Sequence, residues 1–247
     1  MSRPAGAGGN LALVGDVHLD RDDPDLPAFL AFLDRLGETS TRIVFLGDLF
    51  NIWLGRRALE MPHQSAVIER LRELRRRGIV VRYVEGNRDY RIGAGYAGSA
   101  LDDASDAGIV EQWGGSRLFV VHGDLANAGD LQYRAWRRVS RSFPVWGLFN
   151  LLPASTRLRL AERMERRMRA TNLEYKREFP DAAVRAYAVP YLASGFDVVV
   201  LGHFHVEKEL RLEPPGPSGR VLVLPEWKGS RRHLQVSPDG DASFVDS

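Results

Sequence analysis

Seven side chains able to hold metals or move protons stand at regular places in this 247-residue sequence. Asp16 and His18, Asp48, Asn87, His122, and His203 with His205 each follow a short apolar run of the kind that forms a buried strand. Open α/β sheets keep their chemistry at the carboxyl ends of such strands. Carboxylate, amide and imidazole groups in this number suffice for two adjacent metal sites. A pair of divalent ions roughly 3.5–4 Å apart clamps a phosphate ester and lowers the pKa of a shared water, supplying nucleophile and charge stabilisation together. Asp48 is the natural bridge of such a pair, because a carboxylate has two oxygens and imidazole one usable lone pair.

The elements that must position these groups follow from hydrophobic spacing. Leu11 to Val14 is a strand delivering Gly15-Asp16-Val17-His18, and Ile43 to Leu46 is a second delivering Gly47-Asp48. Between them Leu26, Phe29, Leu30 and Leu33 share one helical face, so the order is βαβ and the sheet is parallel. A helix over 62–77 places Val67, Ile68, Leu71 and Leu74 on one face, with Gly78 as its terminal cap. Strand 79–84 then ends in Glu85-Gly86-Asn87-Arg88-Asp89. A short helical region leads to strand 117–121 and His122-Gly123-Asp124. Helices dominate 125–194, with Ser155 and Asp181 as expected N-caps. Strand 196–201 returns to the sheet at Gly202-His203-Phe204-His205, and the tail 206–245 reads as antiparallel β-structure with Pro, Gly and Asp turns. The expectation is a single domain over 1–247, interrupted by a helical insertion at about 125–194.

Composition narrows the chemistry. Cysteine is absent, so neither a disulfide framework nor a thiolate metal site is available. The N-terminus lacks a signal-peptide pattern, and no apolar run reaches the roughly 18 residues needed to span a bilayer. The expected protein is soluble and cytoplasmic, or peripheral on the inner face of the cell membrane. The net charge of +2 conceals an uneven distribution: 131–177 carries 12 Lys or Arg against 3 Glu, net +9, and the rest of the chain is −7. Such a segment suits an anionic lipid surface, a phosphorylated ligand or nucleic acid, or is simply a solvated helical face.

Asp16-Val17-His18, Gly47-Asp48, Gly86-Asn87, His122-Gly123-Asp124 and Gly202-His203-Phe204-His205 resemble, in that order, the five signature blocks of the calcineurin-like metallophosphoesterases. The resemblance implies a four-layer α/β/β/α sandwich with a helical insertion acting as a lid. It also implies two divalent ions, with Asp16, His18 and His205 on one, Asn87, His122 and His203 on the other, and Asp48 on both. Many members carry a His after the Asn; here Arg88 stands there. An arginine is no general acid at neutral pH, but it binds phosphate oxygens and stabilises developing charge. That suits a leaving group needing little protonation, such as the phosphate of a pyrophosphate.

Gly86-Asn87-Arg88-Asp89, Gly47-Asp48-Leu49-Phe50 followed by Trp53, and Asp130 with Tyr133-Arg134-Ala135-Trp136-Arg137 resemble the UDP-2,3-diacylglucosamine hydrolases in particular. That resemblance implies cleavage of the substrate pyrophosphate to UMP and lipid X, manganese as the metal, and Asp48, Asn87, Arg88 and His203 in catalysis. Asn87, Arg88, Asp130, Tyr133, Asn172, Lys176 and His203 would contact the substrate. In the insertion, Arg137, Arg141, Arg157 and Lys176 are available for the anionic end. Trp146, Leu148, Phe149, Leu151 and Leu152 are available for acyl chains, unless that patch is the contact between helices and core.

Asn51, Arg56-Arg57 and Gly129 depart from the subfamily pattern, where acidic residues are usual, and leave the hydrolase chemistry safer than the substrate. The alternative is a metallophosphoesterase acting on another phosphodiester, nucleotide or phosphomonoester. Nucleic acid is not the expected partner, because the aromatic cluster around Pro144 suits acyl chains better than a phosphate backbone. A metal-free scaffold would be marked by a lost ligand, and none is lost. His63 and His233 belong to no block and read as surface or structural residues.

Overall fold

The computed structural model describes residues 8–171 and 179–247. Its first half runs β1 (Asn10–Val14), α1 (Leu26–Thr39), β2 (Ser40–Phe45), β3 (Trp53–Leu54), α2 (Pro62–Arg76), β4 (Val80–Val84), β5 (Asp89–Tyr90), α3 (Ile92–Tyr96), β6 (Asp103–Ser105), β7 (Ile109–Trp113) and β8 (Ser116–Val121). Four helices follow: α4 (Leu131–Ser140), α5 (Phe143–Leu151), α6 (Ala154–Thr171) and α7 (Asp181–Ala193). The chain closes with β9 (Val198–Leu201), β10 (Lys208–Leu212), β11 (Gly219–Val223), α8 (Trp227–Ser230), β12 (Arg232–Val236) and β13 (Ala242–Asp246).

Strand alternation builds the layers. In β1, Ala12 and Val14 pack with Phe29, Phe32, Leu33 and Leu36 of α1 and Val67, Ile68, Leu71 and Leu74 of α2. Leu11 and Leu13 point the other way, into a second cluster with Leu118, Val120, Val198, Val200 and Leu222. The opposite face of that partner sheet, Phe119, Val121, Val199 and Leu201, packs on Val184, Ala188 and Leu192 of α7. Period-two burial on both faces of both sheets therefore gives helices, sheet, sheet and helix, the four-layer sandwich.

The six-stranded sheet has the order β13-β12-β1-β2-β4-β6 and the five-stranded sheet β10-β11-β9-β8-β7. Parallel register sets the site. Val14 pairs with Phe45 and Phe45 with Tyr83, so the segments carrying Asp16, Asp48 and Asn87 leave one edge together. Val121 pairs with Leu201 in the second sheet, bringing His122 and His203 side by side.

Several local expectations are corrected. The region before β8 holds a five-residue helix and two strands, because Ile109, Glu111 and Trp113 alternate inward. The tail is not wholly antiparallel: β11 pairs in parallel with β9, and α8 interrupts it. Helix α6 begins at Ala154, one residue before Ser155, and Asp181 is the first residue of α7 after a Pro180 cap. His63 and His233 are both buried, which leaves the structural reading and removes the surface one.

Candidate functional site

The five segments after β1, β2, β4, β8 and β9 converge, and they do so through unusual backbone. Asp16, His18, Asp48, His203 and His205 all have positive φ, between 52° and 71°. Such left-handed conformations cost non-glycine residues of order 1–3 kcal/mol each and persist where surrounding structure fixes them. Gly47 has φ +84°, and a Cβ there would stand 2.5 Å from Gly86 N. The Gly-Asp turn can approach the Gly-Asn turn this closely only because no side chain intervenes.

Two clusters result. His18 Nε2 and His205 Nε2 are 3.1 Å apart, and Asp16 Oδ1 lies 3.8 Å and 3.6 Å from them. Around Asn87 Oδ1, His122 Nε2 is at 3.0 Å and His203 Nδ1 at 3.1 Å. Asp48 Oδ2 is 3.9 Å from His122 Nε2. Two sets of three satisfy the spacing of a metal site, Asp16 with His18 and His205, and Asp16 with Asp48 and His122. Asp16 is the carboxylate common to both sets.

The donor atoms fit cations. Asp16 Oδ1 is buried and has no hydrogen-bond partner, a costly state for an anion unless a positive group faces it. Its carboxyl nevertheless sits well below the usual range: burial opposes ionisation, and the nearby His205, with Nε2 3.6 Å from Oδ1, together with the charges of His122 and His18, outweighs it. Burial and then the charge of Arg88 hold His18 well below its ordinary value. Burial, reinforced by His122, pushes His203 down to about 4. His18 and His203 are thereby held in the neutral form that binds metal, whereas the neighbouring carboxylates, led by Asp48 at His122 and Asp16 at His205, overcome burial and raise those two imidazoles.

Outer contacts orient this inner set. His122 Nδ1 lies 2.6 Å from Leu46 O, which directs Nε2 toward Asn87 and Asp48. Asp48 Oδ1 accepts from Arg88 N at 2.9 Å. Arg88 is buried, with Nε 3.5 Å from Asp48 Oδ2 and Nη1 donating to Asn51 Oδ1 at 3.4 Å. Asn51 Nδ2 in turn donates to Asp20 Oδ2 at 3.3 Å. Below them Asp89 Oδ2 accepts from Asp48 N, Gly86 N and Tyr83 Oη at 2.8–2.9 Å. Burial and then the charge of Asp48 push the Asp89 carboxyl up to about 7.

Asp89 closes the Gly86-Asn87-Arg88-Asp89 block but had no role assigned from sequence, and nothing there marked Tyr83 or Lys228 as supports. Lys228 Nζ reaches His18 O at 2.8 Å across 210 residues of chain, and no local pattern encodes a contact of that range. Asp130 caps α4 by accepting from Tyr133 N at 2.9 Å, and Tyr133 Oη donates to Asp124. Asn172 and Lys176 lie outside the described residues. Arg137 Nε is engaged by Asp124 at 2.7 Å, and Arg141 by the Gly86 loop, so both cations serve the body of the protein. Trp146 is 6% exposed and packs with Ile52, Leu59, Met61 and Tyr90. Phe143, Leu148 and Leu151 are 78%, 67% and 82% exposed. The aromatic patch thus divides between core contact and open surface.

Residues 9–207 match the family model of the calcineurin-like phosphoesterases. The chain belongs to that family. The phosphoesterase is 31% identical over 235 residues to a UDP-2,3-diacylglucosamine hydrolase of Pseudomonas putida, covering 93% of this chain and 96% of that one. It is 32% identical to the corresponding Pseudomonas entomophila protein with the same coverage. The Aeromonas salmonicida protein of that name is 29% identical, with 91% and 89% covered. Among solved structures, the hypothetical protein PH1004 of Pyrococcus horikoshii matches with a TM-score of 0.53 and 13% identity over 96% of this chain and 87% of that one, a likeness of fold. The phosphoesterase is a hydrolase whose side chains form groups suited to divalent cations.

Proposed function

We propose that the protein hydrolyses the pyrophosphate of UDP-2,3-diacylglucosamine, releasing UMP and 2,3-diacylglucosamine 1-phosphate (lipid X). The observation that carries this is the buried Arg88 guanidinium set against Asp48, in a chain similar along 93% of its length to hydrolases named for that substrate. A water oxygen forms the new P–O bond and gives its proton to solvent, the bridging P–O bond breaks, and the departing phosphate leaves as an anion without needing a proton. Arg88 therefore needs only to hold phosphate oxygens and spread their charge.

In this reading Asp16, His18 and His205 hold one divalent ion, Asn87, His122 and His203 the other, and Asp48 joins the two. When bound, the ions neutralise phosphate oxygens and lower the pKa of water. The proximity of Asp16, Asp48 and His122 supports it. Manganese is the proposed metal, in keeping with a donor set of carboxylate, amide and imidazole without thiolate. Asp130, Tyr133, Asn172, Lys176 and His203 complete the proposed substrate contacts.

We read the chain as one domain with the segment 125–194 as a helical insertion for the lipid end of the substrate. Nine of the eleven exposed large apolar side chains among the described residues lie between Leu131 and Leu160, interleaved with arginines. Such a surface suits peripheral attachment to the cytoplasmic face of a membrane, and no helix among the described residues is long and apolar enough to cross one. The test is incubation of metal-loaded enzyme with UDP-2,3-diacylglucosamine and detection of UMP. Absence of UMP, with hydrolysis of other phosphodiesters intact, would reject the substrate.

A further inference from the structure

The turn that delivers His122 has a second side. Behind it a cavity of about 510 Å³ opens between the 125–129 loop, α4 and the outer face of α7. His122 and Asp124 are part of its wall, so the cavity borders the segment that carries a proposed metal ligand. Tyr187 and Tyr191 also line it, hydroxyls 3.4 Å apart, with the Tyr191 ring held in place by stacking on Phe119 at 4.1 Å. Asn127, Asp106 and Arg134 bring polar groups to the lining.

This lining selects among chemical classes. Among the described residues that line it, Val121 and Leu125 are the branched aliphatics and, beside the two tyrosines, the remaining apolar side chains are alanines; a pair of acyl chains would find little to bury against. Tyrosine rings offer a planar face to a heterocycle, as aromatic side chains do for bases elsewhere. A carboxylate such as that of Asp106 pairs with a ribose diol, and the Asn127 amide, whose oxygen accepts from Gly129 N at 3.1 Å, keeps its NH2 to donate to a base. The volume exceeds that of a nucleoside and falls in the range of small-molecule sites.

We infer that this cavity receives the nucleoside half of the substrate, the base against the Tyr187–Tyr191 wall and the ribose hydroxyls at Asp106, with the 5′-phosphate at His122. The inference rests on the proposed pyrophosphatase reading for its uracil base; the cavity itself asks only for a nucleoside 5′-phosphate.

The test is calorimetric titration of manganese-loaded enzyme with UMP, on the wild type and on Ala186→Trp. Ala186 is exposed on α7 and lines the cavity, so an indole there fills the cavity without entering the core. Val189→Trp, on α7 but outside the cavity lining, is the control for bulk. Ala186→Trp is expected to weaken UMP at least tenfold and raise KM for UDP-2,3-diacylglucosamine by a similar factor, with a smaller change in kcat. Val189→Trp should leave both near wild type. If Ala186→Trp does not fold, Asn127→Ala in the exposed loop carries the same comparison. Unchanged UMP affinity in the folded variant, or no UMP binding by the wild type at millimolar concentration, overturns the inference. UMP binding lost in Ala186→Trp while the wild type leaves UDP-2,3-diacylglucosamine intact would retain the cavity and reject the proposed substrate. Turnover of that substrate with KM and UMP affinity unmoved by Ala186→Trp would do the reverse.

Discussion

Arg141 donates its guanidinium Nη2 to the carbonyl oxygen of Gly86, the residue before Asn87. The same nitrogen donates to Asp89 O at 2.9 Å, and Nη1 lies 3.3 Å from Glu85 Oε2. One side chain at the end of α4 thus brackets the turn that presents Asn87. Arg141→Met should leave these acceptors without their cation, a loss of about 1–3 kcal/mol, and let the Asn87 turn move. Weaker manganese binding and a roughly tenfold lower kcat are expected, with Arg141→Lys recovering part of each. Calorimetric metal titration beside steady-state kinetics checks this; lost thermal stability with unaltered metal affinity would reduce Arg141 to a structural tie.

Asp48→Ala and His122→Ala should each abolish metal-dependent turnover by 10³-fold or more, the scale expected when charge stabilisation at a reacting phosphate is lost. Metal content per chain, measured on folded variants, separates loss of an ion from loss of a fold. Full turnover in Asp48→Ala would sink the two-metal reading.

Arg88→Ala should reduce pyrophosphate cleavage far more than hydrolysis of an activated aryl phosphate, whose leaving group demands little stabilisation. A ratio of losses near one on the two substrates would contradict the role given to Arg88. The Asn51 contact predicts a smaller effect in the same direction for Asn51→Leu.

The exposed side chains of α5 predict a surface effect. Leu148→Glu with Leu151→Glu removes two of the most open apolar groups and adds negative charge, each change opposing contact with anionic lipid. Co-sedimentation with phosphatidylglycerol vesicles should fall severalfold while hydrolysis of a water-soluble diester stays near wild type. Equal vesicle binding by wild type and variant would remove this face from the membrane proposal.

His233 predicts a pH dependence of stability. Burial lowers it from the ordinary 6.5 to about 4, with its ring against Phe32 at 5.1 Å. The folded state keeps it neutral while the unfolded chain takes up a proton below 6.5. Its contribution is therefore complete above pH 6.5 and is lost as pH falls to about 4, by an amount on the order of 3 kcal/mol. Denaturant unfolding at pH 7 and pH 4.5 should show a shallower acid loss for His233→Gln than for the wild type, and parallel losses would exclude this source.

The sequence by itself determined the five strands that carry the site, β1, β2, β4, β8 and β9, and the residue types that follow them, because burial on a pleated sheet leaves a local period and the chemistry lies within a few residues of each of these strand ends; the short strands β6 and β7 and the parallel pairing of β11 were not legible there. Tertiary structure decided which groups meet. The positive φ of five site residues, the grip of Arg141 on a turn 55 residues away, the inward turn of Trp146 and the cavity behind His122 depend on segments far apart in the chain. Local periodicity carries no record of such pairings. The Gly-Asp pair ending β2 is visible as a motif; that Asp48 faces Asp16 and His122 with Arg88 against it follows only from strand register and from packing two sheets face to face.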